Sequence, residues 1–302
     1  MALKYVPKKF KTKELCLAAL EYAGLALEFF PEQIKTEELC FVAVKHEGKA
    51  LEFVPEALKT LELCLIAVGY DGNPIEFVPE EHRTLELCLT AVQNLSMAFE
   101  YVPETLKTKE FYFTAIEKNS KALEYVPDEF KTLELCLAAV QNEGLALEYV
   151  PDEHKTLELC FAAVQNNAYA LGYVPEELKT IELCLIAVQN KGIALAFVPE
   201  EQKTADLCFI AVENDGFALE YVPEKIKTKA LCLASIKNDG RALGYVPEVF
   251  RTKNLCIAGV KNILSRIEAD GYGLDATDLF FDHVPDDFKE MIREKFDKFF
   301  QY

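Results

Sequence analysis

YVPDEFKTLELCLAAVQNEGLALE, residues 125–148, decides the fold, because the chain writes this phrase again and again. Pro127 recurs at Pro7, Pro31, Pro55, Pro79, Pro103, Pro151, Pro175, Pro199, Pro223 and Pro247, a step of 24 residues with no insertion or deletion. A threonine follows five residues after each of these eleven prolines, from Thr12 to Thr252. A strict period of this length means one supersecondary unit stacked many times.

Within the phrase, Val126 precedes a proline and is pushed out of the helical region. Pro127 opens a short helical turn through Asp128, Glu129 and Phe130, with the two acids at its N-terminal end. Thr132 is placed to N-cap the next helix, and Glu134 falls in that helix's first turn. Leu133, Leu135, Cys136, Leu137, Ala139 and Val140 make much of the helix apolar, as expected where neighbours press on both sides. Asn142-Glu143-Gly144 ends it, with Asn or Gly supplying a left-handed cap. A short second helix follows at 145–149, and the next Val-Pro stops it. No period-2 alternation marks a strand. The Ala139 and Ala146 slots are small almost throughout, which suits close helix approach. Pro74 breaks the pattern at one such slot, and Phe111-Tyr112-Phe113 replaces Leu-Cys-Leu, so altered packing is expected there.

The expected fold is therefore all-α: an α-solenoid (superhelix) of eleven 24-residue two-helix repeats across residues 1–262. Repeat character fades after Asn262, where Arg266 takes an alanine slot. Residues 263–302 read as a linker and an amphipathic C-terminal capping helix. Val284-Pro285-Asp286-Asp287-Phe288-Lys289 echoes the repeat opening out of register, and Phe296, Phe299 and Phe300 would cover the last repeat. At the other end the chain enters in mid-repeat at Ala2. That edge has no capping helix, so the expected cover is a partner, a second copy of the chain (self-association) or residues of a longer parent chain, the alternative being that the four lysines from Lys8 to Lys13 keep it soluble.

The chain has 302 residues and a formal charge of −18, with the middle acidic and weakly basic stretches on either side. That balance disfavours direct nucleic-acid binding, which needs clustered Lys and Arg. No apolar run approaches the roughly 18 residues needed to span a bilayer, and the first residues do not resemble a signal peptide. Each of the ten cysteines falls nine residues after a repeat proline, and Tyr112 fills the empty slot. Helices pack about 8–10 Å apart, too far for neighbouring cysteines to pair as disulfides or converge on a metal. They read as small buried apolar side chains, and reduced thiols suit a cytoplasmic location.

Chemistry is hard to find. His82 and His154 share a slot three repeats apart, and no phosphate loop, GxSxG elbow or HExxH helix occurs. An enzymatic site in the tail would need Asp275, Asp278, Asp282 and His283 to converge. A calcium loop at 270–278 lacks the alternating ligands and the closing glutamate. No enzyme activity, cofactor or metal is expected.

The unit KTxELCLxAVxNxGxALExVPE, as at 131–152, resembles the bacterial tandem-repeat family catalogued as domain-of-unknown-function family 4116, over residues 2–262. Its members carry similar pairs of short helices, and the family implies no activity. The 24-residue length also resembles leucine-rich variant repeats, which alternate α and 3-10 helices. The iron–sulfur cysteine cluster of those proteins has no counterpart here.

Two functions follow as expectations. The first is a non-enzymatic scaffold offering an extended repeat surface to a protein or peptide partner. Specificity would lie in the variable slot three residues after each proline, notably Phe130, His154, Leu178, Gln202, Ile226 and Phe250. A second variable slot runs through Glu21, Lys45, Gly69, Gln93, Glu117 and Gln141. The alternative is an acidic nucleic-acid mimic. Its ladder would be Glu80, Glu81, Asp128, Glu129, Asp152, Glu153, Glu176, Glu177, Glu200 and Glu201.

Overall fold

In the computed structural model, which describes residues 2–7, 10–270 and 280–297, each repeat contributes one α-helix and two 3-10 helices. The chain forms two compact units, Met1–Asn142 with Tyr149–Pro151, and Glu143–Glu148 with Asp152–Tyr302. The first holds α1 (Lys13–Leu20), α2 (Glu37–His46), α3 (Leu61–Asp71), α4 (Leu85–Asn94), α5 (Lys109–Lys118) and α6 (Leu133–Asn142). The second holds α7 (Leu157–Asn166), α8 (Ile181–Asn190), α9 (Ala205–Asn214), α10 (Lys229–Asn238), α11 (Lys253–Asp270) and α12 (Asp286–Asp297). No strand occurs among the described residues. Within each unit every α-helix packs on its sequence neighbours, the arrangement of an all-α solenoid.

The α-helix starts where threonine caps it. Thr132 Oγ1 accepts a hydrogen bond from the Leu135 N–H at 3.3 Å, and every repeat threonine from Thr12 to Thr228 does the same. The proline turn is a 3-10 turn closed by Phe130 N–H donating to Pro127 O at 2.9 Å. The second helix is also 3-10, as at Gly192–Phe197, in every repeat before the last. In α8 the buried residues are Leu183, Cys184, Ala187 and Val188, joined by Ala194, Leu195 and Val198. Each buried Leu or Val is worth about 1.5–3 kcal/mol against solvent exposure, and only the stack provides that burial.

The helix ends differ from expectation. No residue but Gly72 has a left-handed backbone among the described residues, so neither Asn142 nor Gly144 is a left-handed cap. The residues after most of the helices are extended, such as Asn167 at φ −144° and ψ 114°. Glycine is needed there for space. A Cβ on Gly192 would stand 2.1 Å from the Ala211 carbonyl oxygen of the next repeat, and one on Gly144 would stand 2.3 Å from that of Ala163. The asparagine is instead a clamp between repeats. Asn214 Nδ2 donates to Gln189 O at 2.8 Å, while its Oδ1 accepts from the Gly192 N–H at 2.8 Å. Asn238 and Asn262 repeat this geometry one and two units on. One side chain thus satisfies a helix C-terminal carbonyl and a 3-10 N-terminal amide of its neighbour.

The Phe111-Tyr112-Phe113 exception builds an aromatic cluster rather than a gap. Phe99 stacks on Tyr112 at 5.7 Å and meets Phe111 edge-on at 5.5 Å.

At the far end α11 runs unbroken past residue 262 to Asp270. Arg266 explains its departure from the repeat: it donates to Asn238 O at 2.9 Å and pairs with Asp239 at 3.1 Å. Burial alone would raise the Asp239 pKa. The hydrogen bonds and charge of Arg241, with the charge of Arg266, outweigh it and hold the carboxyl below its ordinary value. The cap buries Phe280, Phe281, Val284 and Ile292. Gly259 stands where all but one of the other repeats carry alanine, and a Cβ there would lie 2.7 Å from the Phe280 ring. The side chains of Phe296, Phe299 and Phe300, and residues Asp275 and Asp278, lie outside the described residues.

Candidate functional site

The variable slot after each proline turn faces inward more than outward. Phe130, His154, Leu178, Gln202, Ile226 and Phe250 are all half-buried. Gln202 donates through Nε2 to Lys179 O of the preceding repeat, and its Oε1 lies 3.5 Å from Cys184 Sγ. Phe130 packs on Tyr112 at 4.9 Å. At both of these positions the slot contacts the preceding repeat.

The acidic ladder is half engaged. The first acid of each turn pairs with the lysine three residues on: Asp128 with Lys131, Asp152 with Lys155, Glu176 with Lys179 and Glu200 with Lys203, at 2.6–3.0 Å. These lysines are buried or nearly so. At Lys59 the ammonium also donates to Phe77 O of the next repeat at 3.0 Å, so the slot ties one repeat's proline turn to the next repeat's 3-10 helix. Arg83 fills it beside Glu80 and Glu81 and donates to Val78 O and Tyr101 O. Glu81, Glu129, Glu153, Glu177 and Glu201 are exposed and form no ion pair among the described residues.

The cysteines are buried, and burial pushes thiols such as Cys64, Cys136 and Cys184 up to about 11. A thiol so disposed is almost wholly protonated at neutral pH, which makes it a poor nucleophile. Among the described residues no cluster of His, Cys, Asp or Glu could hold a metal ion, and no helix is long and apolar enough to cross a membrane. Asp282 is exposed, whereas His283 packs over Gly244.

The open face of the α-helices is a different matter. Ten residues after each proline stands Leu, Phe or Ile, and none of these side chains is buried. In the first unit they are Leu17, Phe41, Leu65, Leu89, Phe113 and Leu137; in the second, Phe161, Leu185, Phe209, Leu233 and Ile257. Phe209 is 37% exposed. The following slot is Ala, Val, Ile or Thr, as in Ile186, Ile210 and Ala234, so each unit bears a two-residue-wide apolar stripe. Between α9 and α10 it deepens into a depression of about 550 Å³ lined by Phe209, Ala230, Leu233 and Ala234, with Glu213, Lys237 and Asn238 at its rim. A row of exposed acids borders the stripe one turn earlier on each helix, from Glu14 through Glu134 in the first unit and at Glu158, Glu182 and Asp206 in the second.

Sequence reasoning passed over this stripe because Leu137 looks like one more core residue. The signal was available: Leu135, Cys136, Ala139 and Val140 already occupy the sides that face neighbours. Leu137 and Ala138 lie about 100° and 200° round from Cys136, on the remaining side.

The model of the family described as Domain of unknown function (DUF4116) matches at residues 36–83, 84–131, 108–155, 132–179, 156–203 and 204–251. Each match spans 48 residues, two repeats, and begins at the N-cap threonine or its equivalent. No curated protein and no solved structure matches the chain. With its 24-residue register, capped helices and family matches covering most of its length, the chain belongs to the DUF4116 tandem-repeat family.

Proposed function

We propose that this chain is a non-enzymatic protein-binding scaffold, and that its binding face is the apolar stripe on the open side of the α-helices. The observation that carries this reading is a Leu, Phe or Ile left at least partly exposed at the same slot in every repeat. A stripe of this regularity exceeds the scattered apolar residues of an ordinary surface, and extended apolar patches with polar rims mark interaction sites. A solenoid offers such a face along many repeats, so several weak contacts can act together. The buried thiols suit a reducing, cytoplasmic setting. The nucleic-acid-mimic reading has less support, since Asp128, Asp152, Glu176 and Glu200 spend charge on nearby lysines.

The test compares capture of native partners by three immobilised chains: unmodified, Phe209→Glu with Leu185→Glu, and Gln202→Ala with Phe250→Ala. The stripe variant loses the partner and the slot variant retains it. A partner held equally by the stripe variant refutes the assignment.

A further inference from the structure

The stripe of the second unit carries an ordered reversal of charge that the repeat itself does not require. Over α7, α8 and α9 its border is acidic, with exposed Glu158, Glu182, Asp206 and Glu213. Over α10 and α11 it is basic, with exposed Lys229, Lys237, Lys253 and Lys261. Ala230 and Asn254 stand where the earlier repeats carry an acid. None of the four lysines forms an ion pair among the described residues.

Helix stability does not account for the switch. An acid in the first turn complements the helix dipole, and α1 to α9 all have one. The first turns of α10 and α11 contain none, and begin instead with Lys229 and Lys253, where a positive charge opposes the dipole. One of the lysines, Lys237, lines the depression at Phe209, Leu233 and Ala234, opposite Glu213 in the same lining.

Resting on the scaffold reading above, we infer that the second unit's stripe binds an amphipathic helix of another protein, with basic side chains over α7–α9 and acidic side chains over α10–α11. The spacing suits a helix laid across the repeats. Packed α-helices stand about 8–10 Å apart, and seven residues of a partner helix rise about 10.5 Å. Apolar residues at heptad spacing then meet Phe161, Leu185, Phe209 and Leu233 in turn, while the charged flanks fix the direction in which the helix lies.

The experiment selects from a displayed library of helical 25-residue peptides, heptad-apolar and randomised at the flanks, on the full chain. Affinities are then measured by fluorescence anisotropy against the unmodified chain, F209E/L233E and K229E/K237E/K253E/K261E, each checked for unchanged circular dichroism. The expected winners carry Lys or Arg in one half and Asp or Glu in the other. They lose measurable binding to F209E/L233E, and they weaken at least about tenfold on the four-lysine variant. Winners that depend on Phe209 and Leu233 but show no charge order overturn this inference and leave the scaffold reading standing. Winners indifferent to F209E/L233E overturn both. Self-association of the unmodified chain that F209E/L233E abolishes, seen by sedimentation velocity without peptide, makes a second copy the occupant and overturns the peptide assignment.

Discussion

Replacing Asn214 with alanine tests whether the asparagine clamp couples one repeat to the next. The substitution removes the hydrogen bond from Nδ2 to Gln189 O and the one from the Gly192 N–H to Oδ1, both 2.8 Å. Two ordinary hydrogen bonds contribute about 0.5–1.5 kcal/mol each, and Gly192 is buried, so its amide loses a partner that water replaces poorly. The expected cost is about 2–3 kcal/mol. Asn190 supplies the control, because its counterpart slot is occupied by Ala168 in place of glycine, and no clamp bonds form there among the described residues. Asn190→Ala should therefore cost under about 0.5 kcal/mol, an ordinary surface change. Asn214→Asp keeps the acceptor for Gly192 but cannot donate to Gln189, and its charge faces the C-terminal carbonyls of α8. Folding then disfavours the carboxylate and raises its pKa. The penalty is full above that folded-state pKa and is relieved as pH falls toward the unfolded value. Because a solenoid need not unfold in one step, the assay is native-state hydrogen exchange of peptides covering residues 187–195, with urea unfolding as the global measure. Equal exchange in N214A and N190A would refute the coupling.

Lys59 is buried, pairs with Glu56 at 2.6 Å and donates to Phe77 O at 3.0 Å. Lys59→Met should cost about 1–3 kcal/mol in urea unfolding by leaving that carbonyl unpaired. Lys59→Arg should cost little, since Arg83 makes the equivalent bond; similar losses for both would sink the account. Burial raises eight of the ten thiols from 9.0 to about 11. Iodoacetamide at pH 8 should therefore alkylate the folded chain at least about a hundredfold more slowly than the urea-unfolded chain. The stability these thiols contribute is complete below pH 9.0 and is lost as pH rises toward 11, because the unfolded state gives up its protons first. Rapid labelling of the native chain, or stability constant across that range, would contradict it.

The fold was legible because period, cap and stop residues are local signals. Proline every 24 residues sets the turn, threonine five residues later sets the helix start, and both act within one repeat. The glycine was misread because two different causes give the same residue. A left-handed cap and a close backbone approach both call for glycine, and only the 2.1 Å that a Gly192 Cβ would leave to Ala211 O tells them apart. The asparagine was misread for a related reason. Its partners, Gln189 and Gly192, lie 25 and 22 residues away, beyond any window used to read a helix end.

The apolar stripe was harder to read than the fold for a reason particular to repeats. In a single globular domain, an apolar residue at helical spacing is usually core, and the polar face shows by contrast. Here the neighbouring repeats take two sides of the helix and the 3-10 segment a third, so apolar residues are legitimate on most of its circumference. Leu137 is then indistinguishable in type from Leu135, although one is half-exposed and the other buried. The variable slot is hard to read for the opposite reason. Gln202 contacts Lys179 and Cys184 of the repeat before it, an inter-repeat contact that the residue type alone does not announce. In a stacked array, constancy of an apolar residue at an uncovered position points to a partner more strongly than variation at a covered one. Phe209, at a slot that is Leu, Phe or Ile in all eleven repeats and itself 37% exposed, is therefore the residue on which the scaffold reading stands or falls.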